Sequence, residues 1–180
     1  MIKRRFYYEY GHIYTTLQII FLYSITQHFY NPMTVIRITK EFDFEMAHAL
    51  LGYNGPCKDI HGHSYKLSVT VAGAPVTDQT SPELGIVIDF SLLKKIVKDA
   101  IIEHFDHALV LNKNFPQTQL AGIHSISGRL LMVDYQPTCE NLLIDFVERI
   151  KTNLPLTTNL HHLKLRETSS SYAEWFANDN

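Results

Sequence analysis

A two-residue alternation places the histidines of this chain before any other feature does. His61 and His63 flank Gly62 and are followed at the same spacing by Tyr65, Leu67, Val69 and Val71. Successive side chains of a strand point to opposite faces, so 61–73 reads as a strand whose apolar face carries both imidazoles. Upstream, Phe42, Phe44, Met46 and His48 share one face of a second strand, 34–48, while Glu41, Asp43 and Glu45 occupy the other. All three histidines therefore point toward the packed side of a sheet.

Three neutral imidazoles fill three corners of a tetrahedral zinc site. Cys57 stands four residues before His61, completing C-x-x-x-H-G-H. Two arrangements fit this spacing. In one, zinc keeps its fourth corner for water or substrate and Cys57 is a thiol beside it; in the other, Cys57 closes a structural site. A lone histidine on an apolar strand face is ordinarily a hydrogen-bonded core residue, and the matched parity of the H-G-H pair is what favours ligation. Gly62, without a side chain, lets another group or a bound molecule approach the backbone.

Composition narrows the class. With 180 residues, 46% hydrophobic and 19% charged, the chain has the make-up of a globular protein with a single core. Its net charge is −2 and its basic residues form no long block, which argues against nucleic acid as a partner. The only cysteines, Cys57 and Cys139, make no disulfide framework and fit a reducing cytoplasm. Lys3, Arg4 and Arg5 followed by the apolar stretch 17–25 imitate a signal peptide. Polar interruptions, the lack of a small-x-small cleavage site and a run too short to span a bilayer argue otherwise. Residues 1–32 are expected to form an extension outside the core, with a single domain over 33–180 that starts at or near Met33.

Beyond the second strand, a loop with Pro75, Pro82 and Gly85 leads to an amphipathic helix capped by Asp89 or Ser91 and ending near Phe105. Asp106 and His107 follow, and the bottom-up expectation for Asp106 is a residue that caps backbone groups in a turn. Residues 112–136 read as a long connection, with room for a short strand within 129–135. A second helix begins at Pro137 and Thr138, Thr138 being its cap and Glu140 lying near its positive end. In the next strand Leu163, Leu165 and Glu167 share a face, so a carboxylate ends an apolar row and needs either a partner in the chain or a ligand carrying donors. A last strand covers 172–176. The expected architecture is α+β: a four-stranded antiparallel sheet in ββααββ order with two helices on one face. Its two open edges favour a homo-oligomer.

Six short motifs, in this order, resemble the 6-pyruvoyltetrahydropterin synthase and 6-carboxytetrahydropterin synthase family. They are F-x-x-A-H ending at His48, C-x-x-x-H-G-H at Cys57 to His63, I-D-F ending at Phe90, D-H at Asp106 and His107, P-T-x-E-N at Pro137 to Asn141, and E-T at Glu167 and Thr168. The resemblance implies the tunnelling fold, with subunits joined edge to edge in trimers, two trimers stacked as a hexamer and active sites between subunits. It implies zinc on His48, His61 and His63, Cys57 as proton acceptor aided by Asp106 and His107, and Glu167 as anchor of a pterin ring, with Thr138 and Glu140 as further pterin contacts. The short gap between Cys57 and His61 is similar to that of the 6-carboxytetrahydropterin synthases of queuosine biosynthesis. Those are zinc lyases acting on 7,8-dihydroneopterin triphosphate. A pyruvoyltetrahydropterin synthase and a non-catalytic zinc-binding protein are the alternatives. Cys139 inside P-T-C-E-N reads as a packing residue.

Overall fold

The structure, a computed structural model, describes residues 34–180; the expected extension over 1–32 lies outside the described residues. β1 (Ile36–His48) and β2 (His61–Gly73) pair antiparallel along their whole length, from Ile36 opposite Gly73 to His48 opposite His61. Alternation sets the faces: Phe42, Phe44, Met46 and His48 are buried, whereas Glu41, Asp43 and Glu45 are exposed. β5 (Asn159–Arg166) pairs antiparallel with the outer side of β2, and β6 (Tyr172–Phe176) with β5.

On the other side of β1 the expected architecture needs correcting. β3 (Ala108–Asn112) runs parallel to β1, with His48 opposite Val110, and β4 (Leu130–Val133) runs parallel to β3. The sheet is six-stranded and mixed, in the order β4-β3-β1-β2-β5-β6, rather than four-stranded and antiparallel. The reason lies in Ala108, Leu109, Val110 and Leu111, all of which are buried. A strand covered on both faces shows a continuous apolar run, and so lacks the alternation that marks a half-exposed one.

Three helices supply those covers. α1 (Phe90–Val97) continues without a break through a π-helical stretch, Lys98–Ile102, and a last α-turn, Glu103–Phe105. The Asp89 carboxylate caps it by accepting from Ser91 N. α2 (Gln117–His124) lies inside the segment expected to be a loop, and α3 (Cys139–Lys151) is capped by Thr138, whose hydroxyl accepts from Asn141 N. α1 and α3 cover one face and share its main core, where Phe44 stacks on Tyr65 at 5.2 Å and meets Phe146 edge-on at 6.2 Å, and Phe105 packs edge-on against Phe146 at 4.8 Å. α2 covers the other face, where Leu120 and Ile123 pack with Ala49, Leu109 and Leu111 in a smaller core. The helices thus divide between both faces, two and one. No helix among the described residues is long and apolar enough to cross a membrane.

Phe146 is fully buried between two other rings. Phe146→Ala is expected to lower stability by about 3–5 kcal/mol, read as a shift of the urea midpoint without a change in slope.

Candidate metal centre and active site

The β1–β2 register does the first part of the assembly. His48, the last residue of β1, faces His61, the first of β2, and His63 faces Met46 two pairs further in. One ring nitrogen from each histidine lies within 4.8 Å of the others. His48 is 2% exposed. Its burial lowers its pKa, and although the Pro137 carbonyl opposes this, the neutral imidazole is favoured.

Backbone carbonyls decide which nitrogen carries the proton. His48 Nδ1 lies 2.6 Å from Pro137 O and His61 Nδ1 lies 2.8 Å from Asp59 O. A carbonyl oxygen only accepts, so both Nδ1 atoms are the donors and both Nε2 atoms present lone pairs. Those two Nε2 atoms are 3.1 Å apart. Two lone pairs at that separation repel unless a cation lies between them. Zinc–nitrogen bonds of about 2.0–2.1 Å set the corners of a tetrahedron about 3.3 Å apart. Donor type, tautomer and spacing all fit a divalent metal ion, and His48, His61 and His63 could hold one.

The P-T-x-E-N segment places the Pro137 carbonyl. Asn141 Nδ2 donates to Gln136 O at 2.9 Å, and the Gln136 amide exchanges two hydrogen bonds with the backbone of Leu51, at 2.8 and 3.2 Å. The start of α3 is therefore tied both to His48 and to the loop that carries Cys57. Cys57 sits in a short helical turn, Pro56–Lys58, its carbonyl accepting from Leu50 N at 2.9 Å. It is partly exposed and is not one of the clustered metal-binding groups. A closed four-ligand site would need the thiol inside that cluster.

Glu167 ends the apolar row of Leu163 and Leu165 and leans over the histidines, with Oε1 3.7 Å from His48 Nε2 and 3.9 Å from His63 Nε2. The Tyr65 hydroxyl donates to the same oxygen at 3.0 Å. Burial, and then the negative charge of Glu167, push the Tyr65 phenol far above its ordinary range, so it remains a donor.

Asp106 and His107 lie elsewhere. Asp106 Oδ1 accepts from the backbone N of Glu45 at 3.0 Å and lies 2.9 Å from His107 Nδ1; it does bond a backbone group, but one on β1 rather than in its own turn. His107 takes a left-handed conformation, φ 58°, in which its N–H donates to Glu45 O. Its ring is 71% exposed and lines a groove of about 420 Å³ with Glu45, Ala47, Gly62 and Ser64. By strand parity these four belong to the face opposite the histidine cluster. The single chain thus joins His48, His61, His63 and Glu167, and leaves Asp106 with His107 on the far side of the sheet. Gly62 opens onto this groove; a Cβ there would meet Met46 O at 3.4 Å, an ordinary contact, so packing within the chain does not demand glycine.

The profile of the 6-pyruvoyl tetrahydropterin synthase family matches residues 37–178. The chain belongs to this family. A 6-carboxy-5,6,7,8-tetrahydropterin synthase of Haemophilus influenzae is 34% identical over 143 residues, spanning 78% of this chain and 99% of its own length. One of the same name from Rickettsia typhi is 32% identical over 142 residues, with the same coverage. The fold is shared with the 6-pyruvoyl tetrahydropterin synthase of Caenorhabditis elegans, at a TM-score of 0.57 and 21% identity over 81% of this chain and 97% of that one.

Within this family member, Thr138 spends its hydroxyl on the cap of α3, and Glu140 is exposed on the first turn. Two contributors carry no chemical signal in the sequence pattern. Pro137 acts through a main-chain oxygen, which no side chain advertises. Tyr65 looks like one more member of an apolar row, although its position two residues after His63, on the face shared with Glu167, is the clue that would pair them.

Two outcomes follow for ligands and thiols. His48→Ala removes one of three donors and is expected to reduce bound metal from one ion per chain to near zero, measured by plasma mass spectrometry after dialysis. Cys139 is buried, donates to Leu165 O at 3.3 Å, and has its pKa pushed up to about 12 by burial and by the charge of Glu167. At pH 8, iodoacetamide is expected to alkylate Cys57 and leave Cys139 intact, as peptide mass mapping of the native protein will show.

Proposed function

We propose that this protein is a 6-carboxy-5,6,7,8-tetrahydropterin synthase, a zinc-dependent carbon–carbon lyase of queuosine biosynthesis. Its substrate is 7,8-dihydroneopterin triphosphate, and with uptake of water its products are 6-carboxy-5,6,7,8-tetrahydropterin, acetaldehyde and triphosphate. Two curated relatives above 30% identity bear that enzyme's name. The observation that carries the reading is the pair of facing Nε2 lone pairs, 3.1 Å apart, whose outer nitrogens are both committed to carbonyls. That arrangement asks for a cation in a site that Cys57 does not close.

His48, His61 and His63 would hold the zinc, which when bound would supply Lewis acidity toward the side-chain oxygens of the substrate and so make the adjacent carbon-bound proton easier to remove. Cys57 takes that proton as a thiolate. Glu167 receives the pterin edge, where a carboxylate accepts from the neighbouring amino and ring N–H donors. Thr138 and Glu140, at the start of α3, are the further substrate contacts. Transfer of the proton to the ring, with the electron pair of the broken C–H bond entering the ring, reduces the pterin and oxidises that side-chain carbon to a carbonyl. Triphosphate leaves by elimination, and addition of water to the carbonyl with cleavage of the adjacent carbon–carbon bond leaves the carboxylate on the ring and releases acetaldehyde.

Asp106 and His107 enter this scheme through a second copy of the chain. Their place on the opposite face supports a role toward another subunit's Cys57, which His107, oriented by Asp106, converts to the reactive form. β4 and β6 end the sheet on either side and offer the edges for such an assembly, a hexamer built as a dimer of trimers. The domain of this enzyme runs over 33–180, with 1–32 as an extension. We place the protein in the cytoplasm, in keeping with its two unpaired thiols.

The test is anaerobic incubation of zinc-loaded protein with 7,8-dihydroneopterin triphosphate and identification of the pterin by mass spectrometry. Carboxytetrahydropterin with acetaldehyde is expected. A pyruvoyl product would move the protein to the pyruvoyltetrahydropterin synthases, and bound zinc without turnover would make the site structural. Cys57→Ala is expected to keep its zinc and to lose about 10²–10⁴-fold in kcat, the range for a removed general base; loss of zinc instead would make Cys57 a ligand.

A further inference from the structure

Tyr65 is 1% exposed. Its ring stacks on Phe44 with planes 11° apart, and the His63 ring meets it at 5.6 Å and 76°. So held, the phenol presents its hydroxyl at a fixed point. The acceptor at that point is Glu167 Oε1, 3.0 Å away. Glu167 itself is less constrained. It follows the last residue of β5, its backbone N–H bonds to Ser171 O across the β5–β6 turn, and its side chain is 24% exposed. Among the described residues no other group donates a hydrogen bond to its carboxylate. The same Oε1 lies 3.7 and 3.9 Å from the Nε2 atoms of His48 and His63, so the carboxylate stands at the edge of the imidazole cluster, with only the Tyr65 hydroxyl bonded to it among the described residues.

We propose that Tyr65 is a positioning residue for substrate: its hydroxyl pins Glu167 Oε1, which keeps the carboxylate off the imidazole cluster and presents it to the N–H donors of a pterin edge. This assignment rests on the reading of Glu167 as the pterin anchor. The bond occupies one lone pair of Oε1 and leaves the remaining acceptor positions of the carboxylate for the ligand. The tyrosine itself touches no reacting atom. It acts through Glu167, and the order it imposes on a long, partly exposed side chain is order the ligand need not impose on binding.

Tyr65→Phe keeps the ring in place and removes only the hydroxyl, and the Glu167 it releases still reaches solvent, so the variant folds. Neopterin, which lacks the triphosphate and is already aromatic in both rings, serves as an unreactive probe followed by its fluorescence. The expected result is a rise of about tenfold in the neopterin Kd, the size of one hydrogen bond to a charged acceptor. KM should rise in parallel while kcat stays within about twofold and the zinc content is unchanged. In a Glu167→Gln background, adding Tyr65→Phe should cost little more, because the two residues form one coupled pair. A wild-type protein that binds no neopterin overturns the pterin anchor and this assignment together. Normal wild-type binding with an unchanged Kd in Tyr65→Phe overturns only the assignment, as does an undiminished loss in the Glu167→Gln background. Loss of zinc from Tyr65→Phe also overturns it, since the hydroxyl would then be acting on the imidazoles.

Discussion

The register of β1 against β2 is the constraint on which the site depends. Thirteen consecutive pairs, from Ile36 with Gly73 to His48 with His61, fix it. A slip of one residue in β1 would turn Phe42, Phe44, Met46 and His48 out to solvent and bring Glu41, Asp43 and Glu45 under α1 and α3. Burial of the aromatic row therefore enforces the position of the metal-binding histidine. Fold stability and ligand geometry are here one requirement met by a single alternation.

The backbone supplies what the side chains leave undetermined. An imidazole on a strand end can turn and can carry its proton on either nitrogen. Carbonyls from two separate segments, Asp59 after the Cys57 turn and Pro137 before α3, remove that freedom for His61 and His48. Each belongs to an irregular piece of chain that is itself tied down, the latter through Asn141 and the Gln136–Leu51 exchange. Such outer partners set both orientation and basicity of a ligand, and their loss is felt at the ion.

How legible this was in the sequence depends on the kind of signal. Half-exposed strands advertise themselves by period, and β1, β2, β5 and β6 fall where alternation puts them. The histidine trio and Glu167 follow from the same parity. β3 is silent because Ala108 to Leu111 are buried on both faces, and although the short strand expected within 129–135 is present as β4, without β3 nothing placed it in the sheet. α2 carries Leu120 and Ile123 as its only buried residues, too few for a visible stripe. Asp106 and His107 stand next to each other in sequence with no period to assign them a face. Their position across the sheet from His48 depends on β3 running parallel to β1, which is a tertiary fact.

The carbonyl-bound histidines also bear on chain entropy. His48 and His61 bracket the loop 49–60, which carries Cys57. An ion shared by the two ends of that loop works as a cross-link, restricting the unfolded chain as a disulfide does and tightening the folded loop as well. The thiol need not touch an ion held by His48 and His61 to feel it, because that ion would add a second clamp at both anchors of the segment on which the thiol rides. Metal occupancy and the placement of Cys57 would thereby be coupled through main-chain closure, beyond the closure that the β1–β2 pairing already gives.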